Sequence, residues 1–492
     1  MTARQRPEVT ALGRHDDWSG VRAVVAGFGV SGFAAADTLT HLGAHVIALD
    51  ESTAGAGGDK EERAELLNVL GADVRLGPGS TATLPDDVDL VVTSPGWRPD
   101  APLLAQAAER GVPIWGEVEL AWRVRDPERP APWLVVTGTN GKTTTVRMLA
   151  SILEAAGKRV AACGNVGLPV LEAVMDPEPY DVLAVELSSF QLHWSSSVAA
   201  ESAVVLNVAE DHVDWHGSFD EYAAAKGRAY EGVARACVYN AADPRTEQLV
   251  RDADVVEGAR AIGFTLGIPS IGMVGVVEDV LADRAFVIER RDSAAELGRL
   301  EDLFSPAPHV VADALAAAAL ARAHGVEPAH VRDGLRAFRP DAHRIALVAE
   351  ADGVTWIDDS KATNPHAAGS SLSAYEPVVW VAGGLAKGAT FDELVERHAG
   401  RLRGVVLLGR DRDVVAQALR RHAPDVPVID TGEGEDGVME RVVQAAAGLA
   451  ASGDTVLLAP GCASMDQFTD YAHRGTAFAE AVHQHLGASG GS

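Results

Sequence analysis

The 492-residue sequence contains only three cysteines, and they lie far apart at Cys163, Cys237 and Cys462. This number and spacing exclude a disulfide framework and a cysteine-based zinc site, so we interpret the three thiols as small buried hydrophobic groups. No run approaches about 18 consecutive strongly apolar residues, which excludes a membrane-spanning helix. The first twenty residues also lack the apolar core of a signal peptide, and we expect them to form a loose N-terminal extension. These observations predict a cytoplasmic protein.

Basic residues are scarce as well. The chain has 42 Lys and Arg against 70 Asp and Glu, a net charge of −28. Such a balance argues against a nucleic-acid partner, which requires a basic surface. It does not exclude anionic substrates, because loops and helix ends bind phosphate locally. With about 150 residues per domain, the length predicts roughly three α/β domains, and we expect a monomer without membrane insertion.

The most informative stretch is Gly138-Thr139-Asn140-Gly141-Lys142-Thr143-Thr144, which lies between an apolar run at residues 133–136 and a helical pattern from residue 143 to 156. A glycine-flanked loop between strand and helix turns backbone N–H groups toward a phosphate. Lys142 would contact the β- and γ-phosphates, and the Thr143 hydroxyl would bind Mg²⁺. The usual phosphate-loop pattern has a glycine where this chain has Val136, so the loop is a shortened variant. The alternative is an ordinary glycine-rich turn.

A second glycine motif, Gly27-Phe28-Gly29-Val30-Ser31-Gly32, follows a strand predicted at residues 21–26. A helix to about residue 42 and a strand ending at Asp50 complete a Rossmann βαβ pattern. This context favours a nucleotide-type site, and NAD is the simplest ligand for it. The pattern ends by Trp115, however, which is early for a dinucleotide-binding domain.

Two further apolar runs end in polar groups that suit a metal. Residues 181–186 end at Glu186, and residues 202–208 are followed by Glu210-Asp211-His212. The carboxyl ends of parallel strands meet at one edge of a sheet, so we expect these groups to lie beside the phosphate loop. Oxygen ligands suit Mg²⁺, although histidine is a less usual partner for it. Residues 273–280 and 284–288 flank an Ala-Asp turn and predict a hairpin.

A third α/β layer is predicted from about Asp341 onward, with apolar runs at 354–357, 378–382, 405–408, 426–429 and 456–459. Three of the loops after these runs carry lysines, hydroxyls or both, and they are Asp359-Ser360-Lys361-Ala362-Thr363-Asn364, Gly383-Gly384-Leu385-Ala386-Lys387 and Gly461-Cys462-Ala463-Ser464-Met465-Asp466. Such a cluster could hold a small anion such as an amino-acid carboxylate. Helix caps and turns are the alternative interpretation.

Taken together, these motifs resemble the Mur ligase family of peptidoglycan synthesis. The resemblance covers about residues 21–485, and its most specific stretches are Gly138–Thr143, Gly164-Asn165-Val166-Gly167, Glu186-Leu187-Ser188-Ser189-Phe190-Gln191 and Asn207–His212. Asp359–Asn364 is similar to the loop of those members that add D-glutamate. The resemblance implies ATP-dependent amide-bond formation with two Mg²⁺ ions. It also implies three domains, with a Rossmann-like UDP-binding domain at residues 1–115, a central ATP-binding domain at 116–341 and a C-terminal amino-acid-binding domain at 342–492.

The resemblance also implies roles for single residues. For the UDP-linked substrate the matching contacts are Val30, Ser31, Asp50, Gly96, Asn165, Ser188 and Gln191. For ATP they are the Gly138–Thr144 loop with Arg344 and Asp359, and for Mg²⁺ they are Thr143, Glu186, His212 and a carbamylated Lys226. For D-glutamate they are Thr363, Lys387, Ser464, Met465 and Tyr471. The candidate catalytic side chains are Lys142, Lys226, His212 and Lys361. Lys226 lies in a helical stretch, so a plain surface lysine is the alternative interpretation of that residue.

The chain departs from the family pattern at a few positions. It has His309-Val310 where the family usually has His-Asn, and Asp313 where it has a second asparagine. Tyr471 replaces a frequent phenylalanine. Three alternatives compete with this assignment: another ligase of the superfamily, such as a folylpolyglutamate synthetase, an NAD-dependent oxidoreductase, and a nucleotide-binding module without turnover.

Overall fold

The computed structural model describes residues 7–53, 59–289, 291–432, 434 and 437–489. It divides into two compact units. The first comprises the described residues up to Asp302 with Ala312–Phe338, and the second comprises Leu303–Val311 with the described residues from Arg339 onward. Three sheets with predominantly parallel strands lie in these units, so the predicted α/β class is confirmed.

The first sheet has five parallel strands: β1 Arg22–Ala26, β2 His45–Asp50, β3 Asp73–Leu76, β4 Leu90–Thr93 and β5 Ile114–Gly116. Their spatial order is β3-β2-β1-β4-β5. From β1 the chain adds β2 and β3 on one side, and it then crosses to the other side of β1 to form β4 and β5. The strand order therefore reverses between β1 and β4. Ligands of open α/β sheets bind in the crevice at such a point, between the loops that follow the two strands. The glycine turn follows β1, and Gly96 lies in the loop after β4.

The second sheet, also in the first unit, has nine strands: β6 Trp133–Thr137, β7 Val160–Gly164, β8 Val182–Glu186, β9 Ser202–Val205, β10 Ala236–Asn240, β11 Arg260–Phe264, β12 Met273–Val277, β13 Val280–Asp283 and β14 Ala295–Arg299. Their order is β14-β13-β12-β11-β10-β9-β6-β8-β7. The central strand β6 is buried along its whole length, which its unbroken apolar run predicts for a strand covered on both faces. It is flanked by β8 and β9, so the loops after these three strands are neighbours.

The third sheet belongs to the second unit: β15 Ala346–Ala351, β16 Val354–Asp358, β17 Val378–Gly383, β18 Leu402–Leu408, β19 Val428–Asp430 and β20 Thr455–Leu458, in the order β15-β16-β20-β17-β18-β19. All neighbouring strands are parallel except the β15–β16 pair. Strand β20 lies between β16 and β17, so the three polar loops singled out in the sequence leave adjacent strand ends.

Helices connect the strands. Those of the first two sheets are α1 Val30–His41, α2 Asp59–Val69, α3 Pro102–Glu109, α4 Glu117–Arg123, α5 Lys142–Ala155, α6 Val170–Met175, α7 Ser189–His193, α8 Val213–His216, α9 Phe219–Gly227, α10 Pro244–Asp252, α11 Pro308–His324 and α12 Pro328–Ala337. Those of the third sheet are α13 Pro365–Leu372, α14 Asp392–His398, α15 Arg412–His422, α16 Val438–Leu449 and α17 Tyr471–Ser489. Short 3-10 turns occupy Val9–Ala11, Arg228–Tyr230, Leu300–Asp302 and Ala399–Arg401.

Two sequence-based expectations were wrong. Residues 1–20 read as a loose extension, but Trp18 is fully buried in the first unit and its indole Nε1–H donates to the Gly13 carbonyl at 2.9 Å; residues 1–6 lie outside the described residues. The hairpin exists, but its turn lies at residues 278–279 because β12 pairs antiparallel with β13 rather than with residues 284–288. Glu278 adopts a left-handed conformation there (φ 57°), which the sequence does not predict.

Among the described helices, none is both long and apolar enough to cross a bilayer.

Candidate active site

The phosphate loop joins β6 to α5, as the sequence predicts. Its shape depends on two glycines with positive φ, Gly138 at 155° and Gly141 at 85°, and Gly141 is the residue that precedes the first turn of α5. A side chain at Gly141 would overlap the carboxylate of Asp313. The Thr143 and Thr144 side chains are buried in that first turn. The helix therefore presents its N-terminus to the loop, which favours an anion.

Two lysines converge on one carbonyl of this loop. Lys142 Nζ donates to the carbonyls of Gly138 and Thr139, each at 2.9 Å. Lys226 Nζ, from α9, donates to the same Gly138 oxygen at 2.8 Å and lies 4.5 Å from the centre of the Tyr222 ring. Burial, together with the positive charge of Lys142, lowers the pKa of Lys226 well below its usual value. Lys226 is only 2% exposed, which contradicts the reading of this residue as a plain surface lysine.

Glu186 ends β8 directly beside the phosphate loop, because it pairs with Val136 of β6. It is 1% exposed. Its Oε1 accepts a hydrogen bond from the Asn165 amide at 3.1 Å, while its buried Oε2 has no hydrogen-bond partner among the described residues. An unpaired buried carboxylate oxygen is costly unless a cation or donor meets it.

His212 lies just before α8 in a left-handed conformation (φ 52°), which is uncommon for histidine. Its ring packs on Phe190, with 4.7 Å between ring centroids, and burial lowers its pKa. The adjacent Asp211 carboxylate lies 3.6 Å from His212 Nε2. Within the described residues, no three His, Cys, Asp or Glu side chains form a group that could hold a metal by themselves.

Two further residues shape this site, and the sequence reasoning missed their roles. Asn207, just after β9, accepts from the Asn140 N–H through its Oδ1 (2.9 Å) and donates to the Asn140 carbonyl (3.1 Å). The Tyr222 hydroxyl lies 3.0 Å from the Thr139 hydroxyl. The available signals were a polar residue at the end of a buried strand for Asn207, and a position four residues before Lys226 on one helix face for Tyr222.

The glycine turn after β1 is closed by an acid. The Asp50 carboxylate accepts the Phe28 N–H at 2.6 Å and the Ser52 N–H at 2.9 Å, and it pairs with Lys60 at 3.0 Å. Burial opposes ionisation, but these hydrogen bonds outweigh it and lower the pKa of Asp50 to about 2. Asp50 thus holds the turn through the backbone.

The other residues predicted to contact the UDP-linked substrate lie on several loops of the first unit. Val30 and Ser31 begin α1. The Gly96 carbonyl accepts from the indole Nε1–H of Trp215 at 3.3 Å. Ser188 and Gln191 form a reciprocal capping box at the start of α7, so both already have a structural role there.

In the second unit, the loops after β16 and β20 meet around Tyr471. Lys361 Nζ lies 3.7 Å from the centre of the Tyr471 ring, and the Ser360 hydroxyl donates to the Tyr471 carbonyl at 2.8 Å. The fully buried Arg474 donates to the Ser360 carbonyl at 2.8 Å and to the Cys462 carbonyl at 3.1 Å. This guanidinium therefore fixes two loops to α17, and nothing in the local sequence pattern indicated it.

The loop after β17 joins the same group. Leu385 and Ala463 form an antiparallel bridge with N···O distances of 2.8 and 3.0 Å. Ser464 is buried, Met465 is 62% exposed, and Lys387 is exposed with φ 50°. Thr363 lies in the loop that carries Lys361. The residues predicted to contact D-glutamate thus lie on neighbouring loops.

Asp359 and Arg344, predicted to contact ATP, also lie in the second unit. Burial raises the pKa of Asp359 to about 7, against the opposing effects of the Ser371 hydroxyl, which donates to it, and of the Arg344 charge. His309 is largely buried, its Nδ1 has no hydrogen-bond partner among the described residues, and burial lowers its pKa to about 4. Val310 is buried.

Comparison with known proteins agrees with this architecture. The family model of the Mur ligase middle domain matches residues 136–270, and that of the Mur ligase glutamate ligase domain matches residues 343–462. A UDP-N-acetylmuramoylalanine–D-glutamate ligase of Streptomyces avermitilis is 62% identical over 95% of this chain and 98% of its own length. The corresponding ligase of Streptomyces coelicolor is 60% identical over 96% and 99%.

Solved structures resemble the fold at much lower identity. The UDP-N-acetylmuramate-alanine ligase MurC of Thermotoga maritima superposes with a TM-score of 0.55 at 20% identity, covering 94% of this chain and 99% of that one. MurF of Acinetobacter baumannii gives a TM-score of 0.55 at 17% identity over 94% and 93%. At these identities the likeness concerns the fold alone.

Proposed function

Because the chain belongs to the Mur ligase family, we propose that it is the ATP-dependent ligase that joins D-glutamate to UDP-N-acetylmuramoyl-L-alanine in peptidoglycan precursor synthesis. The observation that carries this proposal is the near-full-length identity to relatives that bear this activity in their names. The two lysines that meet at the phosphate loop, Lys142 and Lys226, are the side chains that we propose take part in phosphoryl transfer. We place the reaction in the cytoplasm. The alternatives of a dehydrogenase and of a module without turnover are set aside.

In the proposed reaction, the γ-phosphoryl group of ATP moves to the free carboxylate of the UDP-linked substrate, giving an acyl phosphate and ADP. The amine of D-glutamate then attacks the acyl carbon, the C–O bond to phosphate breaks, and an amide forms with loss of a proton from nitrogen. Phosphoryl transfer needs alignment and neutralisation of charge more than covalent help. The Gly138–Thr144 loop and Lys142 supply both.

The residues around the phosphate loop fit a magnesium ion. The buried Glu186 Oε2 has no partner among the described residues, and the Thr143 hydroxyl lies in the first turn of α5. Mg²⁺ is typically held by one or two protein oxygens together with phosphate oxygens and water, so a cluster of three acids is not required. Glu186, Thr143 and His212 are the proposed ligands. When bound, the ion would neutralise negative charge on the transferred phosphoryl group.

We further propose that Lys226 is carbamylated and so contributes a second oxygen ligand. Carbamylation requires an unprotonated amine, and the lowered pKa of this buried lysine provides one. The product would carry a negative group beside Lys142 instead of a second amine. The carbamate would be a ligand of a second Mg²⁺ ion, so the proposal of a second ion depends on this modification.

The second unit would supply the amino-acid site. Lys387, Thr363 and Ser464 come from loops that the Leu385–Ala463 bridge and Arg474 hold together. Lys387 would pair with a carboxylate of D-glutamate. Lys361 would stabilise negative charge near the reacting carbonyl, and Arg344 with Asp359 would contact ATP.

For the first unit, we propose that the glycine turn and its neighbours bind the UDP portion of the substrate, through Val30, Ser31, Asp50 and Gly96. Asn165, Ser188 and Gln191 would lie along the rest of the substrate. The three-domain division at residues 1–115, 116–341 and 342–492 follows these three tasks.

The experiment that tests the function is phosphate release from ATP and Mg²⁺ in the presence of UDP-N-acetylmuramoyl-L-alanine, with and without D-glutamate. Release that requires both substrates, together with an amide product of the expected mass, supports the proposal. Equal release with L-glutamate, L-alanine or diaminopimelate would contradict the choice of D-glutamate.

The amino-acid site has its own test. We expect Lys387→Ala to raise the KM for D-glutamate about tenfold or more, with little effect on the KM for ATP, because it removes one charge pair to a carboxylate. Lys158→Ala, at an exposed lysine three residues after α5, is the control. A matched rise in both KM values would contradict the assignment.

A further inference from the structure

A second charged site lies at the opposite end of the central sheet from the phosphate loop. Here a cavity of about 80 Å³ is bordered by the first residues of β6 and β8, the segment after α4 and the segment after α6. Trp133 begins β6, whereas the phosphate loop follows its last residue, so the two sites lie a full five-residue strand apart, about 16 Å. This cavity has no part in the proposed reaction.

Three guanidinium groups line the cavity, from Arg14, Arg125 and Arg129. Arg14 is anchored, because its Nη1 donates to the Val174 carbonyl at 3.0 Å. Arg125 stacks on the Trp122 ring at 3.1 Å, which leaves the edge of its guanidinium available for hydrogen bonds.

The two acids that line the cavity, Asp126 and Asp176, already have partners, and the Arg14 charge acts on Asp126. Asp126 Oδ1 accepts the N–H groups of residues 128 and 129 at 2.8 and 3.2 Å. Asp176 pairs with Arg159 at 3.3 Å and accepts the Glu178 N–H at 2.8 Å. No carboxylate forms an ion pair with Arg125 within the described part of the chain, and its pKa is lowered to about 10 by burial.

Two donors of this cavity are unsatisfied. Among the described residues, neither Arg125 Nε–H nor Trp133 Nε1–H has a hydrogen-bond acceptor, and the Trp133 side chain is only 1% exposed. A buried guanidinium Nε–H and a buried indole N–H that both lack an acceptor are unfavourable. One acceptor-only, negatively charged group would relieve both at once.

From this arrangement we propose that the cavity binds a small oxyanion of the size of phosphate or sulfate, held by Arg125 and Trp133 with Arg14 and Arg129 at its border. The cavity has room for several waters and therefore admits a tetrahedral oxyanion. Arginine is the side chain best suited to such recognition, because its planar fork matches oxyanion geometry.

Inorganic phosphate is the probe, and the phosphate loop must be silenced because it would bind the same ion. We therefore compare phosphate binding by calorimetry in Lys142→Ala, in Lys142→Ala with Arg125→Gln, and in Lys142→Ala with Arg421→Gln. Arg125→Gln keeps most of the side-chain length and removes the charge. Arg421 lies on α15 and pairs with Asp392. Its replacement by glutamine is the control, because it removes one arginine charge away from the cavity.

We expect the Lys142→Ala protein to bind phosphate saturably, Arg125→Gln to weaken that binding at least tenfold, and Arg421→Gln to leave it unchanged. Equal binding with and without Arg125→Gln, or no saturable binding in Lys142→Ala, would overturn the proposal. Arg14→Gln gives the same readout if the Arg125 variant does not fold. In crystals of the unmodified protein soaked in selenate, anomalous density beside Arg125 and Trp133 is expected, and its absence counts against the site. None of these outcomes bears on the proposed ligase activity.

Discussion

The first unit contains two glycine turns that join a strand to a helix, and they differ in the charge that closes them. In the turn after β1, the Asp50 carboxylate accepts the Phe28 N–H, so a negative group already occupies one backbone donor. In the loop after β6, Lys142 and Lys226 instead donate to the Gly138 carbonyl. The first turn is therefore occupied by an acid, whereas two lysine side chains, one of them the cation of Lys142, fold over the second. The same local backbone pattern can thus serve two different ligands, and the charged side chain that folds over the turn decides which.

The largest effect should come from the cation of the second loop. Lys142→Ala should lower kcat about a thousandfold, because a fixed positive charge in a site of this kind contributes mainly to the transition state. Phosphate release under saturating substrates measures it, with Lys158→Ala as the control. If the variant kept more than a tenth of the activity, the positive charge of Lys142 at the second turn would not be needed for catalysis.

The second lysine sharpens the comparison further. Lys226→Ala should lower activity about a hundredfold, because it removes the proposed carbamate ligand. A short carboxylic acid such as acetate should restore part of the activity of this variant and none in Lys142→Ala. Full activity without added acid would refute carbamylation, and the mass of the intact protein in bicarbonate buffer gives an independent check.

In the first turn the expected effect is smaller and falls on binding. Asp50→Ala leaves the Phe28 N–H without its acceptor and should raise the KM for the UDP-linked substrate about tenfold, the equivalent of one charge-assisted hydrogen bond. The KM for ATP should not change. Asp37→Ala, on the exposed side of α1, is the control, and a parallel rise in both KM values would place Asp50 outside the UDP site.

The smallest effect concerns pH. Because the pKa of Asp50 is lowered to about 2 in the folded protein, its contribution to stability is present above the unfolded value near 4 and is lost as the pH falls through 2. Solvent screening reduces this contribution to about 1 kcal/mol. Urea unfolding of the unmodified protein and of Asp50→Asn should differ by that amount at pH 7 and converge toward pH 2. A constant difference across this range would mean that ionisation of Asp50 does not matter.

The sequence was sufficient for features that depend on local pattern. The phosphate loop, the buried strands around it and the polar loops of the third sheet could be predicted, because buried parallel strands are continuous apolar runs and ligands gather at their carboxyl ends. The class of fold was confirmed on this basis.

Features that depend on long-range contacts could not be predicted. Nothing near Trp18 shows that residues far along the chain bury it, and nothing near Arg474 shows that its donors reach loops more than ten and more than a hundred residues away. Lys226 reads as a surface lysine until α9 is packed against the phosphate loop. The roles of the predicted site residues stay predictions.

The two hydrogen bonds from Lys142 to its own loop also affect how affinities should be read. In the proposed ATP complex, a phosphate oxygen that takes the protons of these two bonds would displace the Gly138 and Thr139 carbonyls from the ammonium. At about 1 kcal/mol for each bond exchanged, the dissociation constant for ATP would then include a penalty of about tenfold or more. A nucleotide dissociation constant therefore understates the strength of the lysine–phosphate contact, and the most faithful measure is the difference in affinity between nucleotides that do and do not reach Lys142.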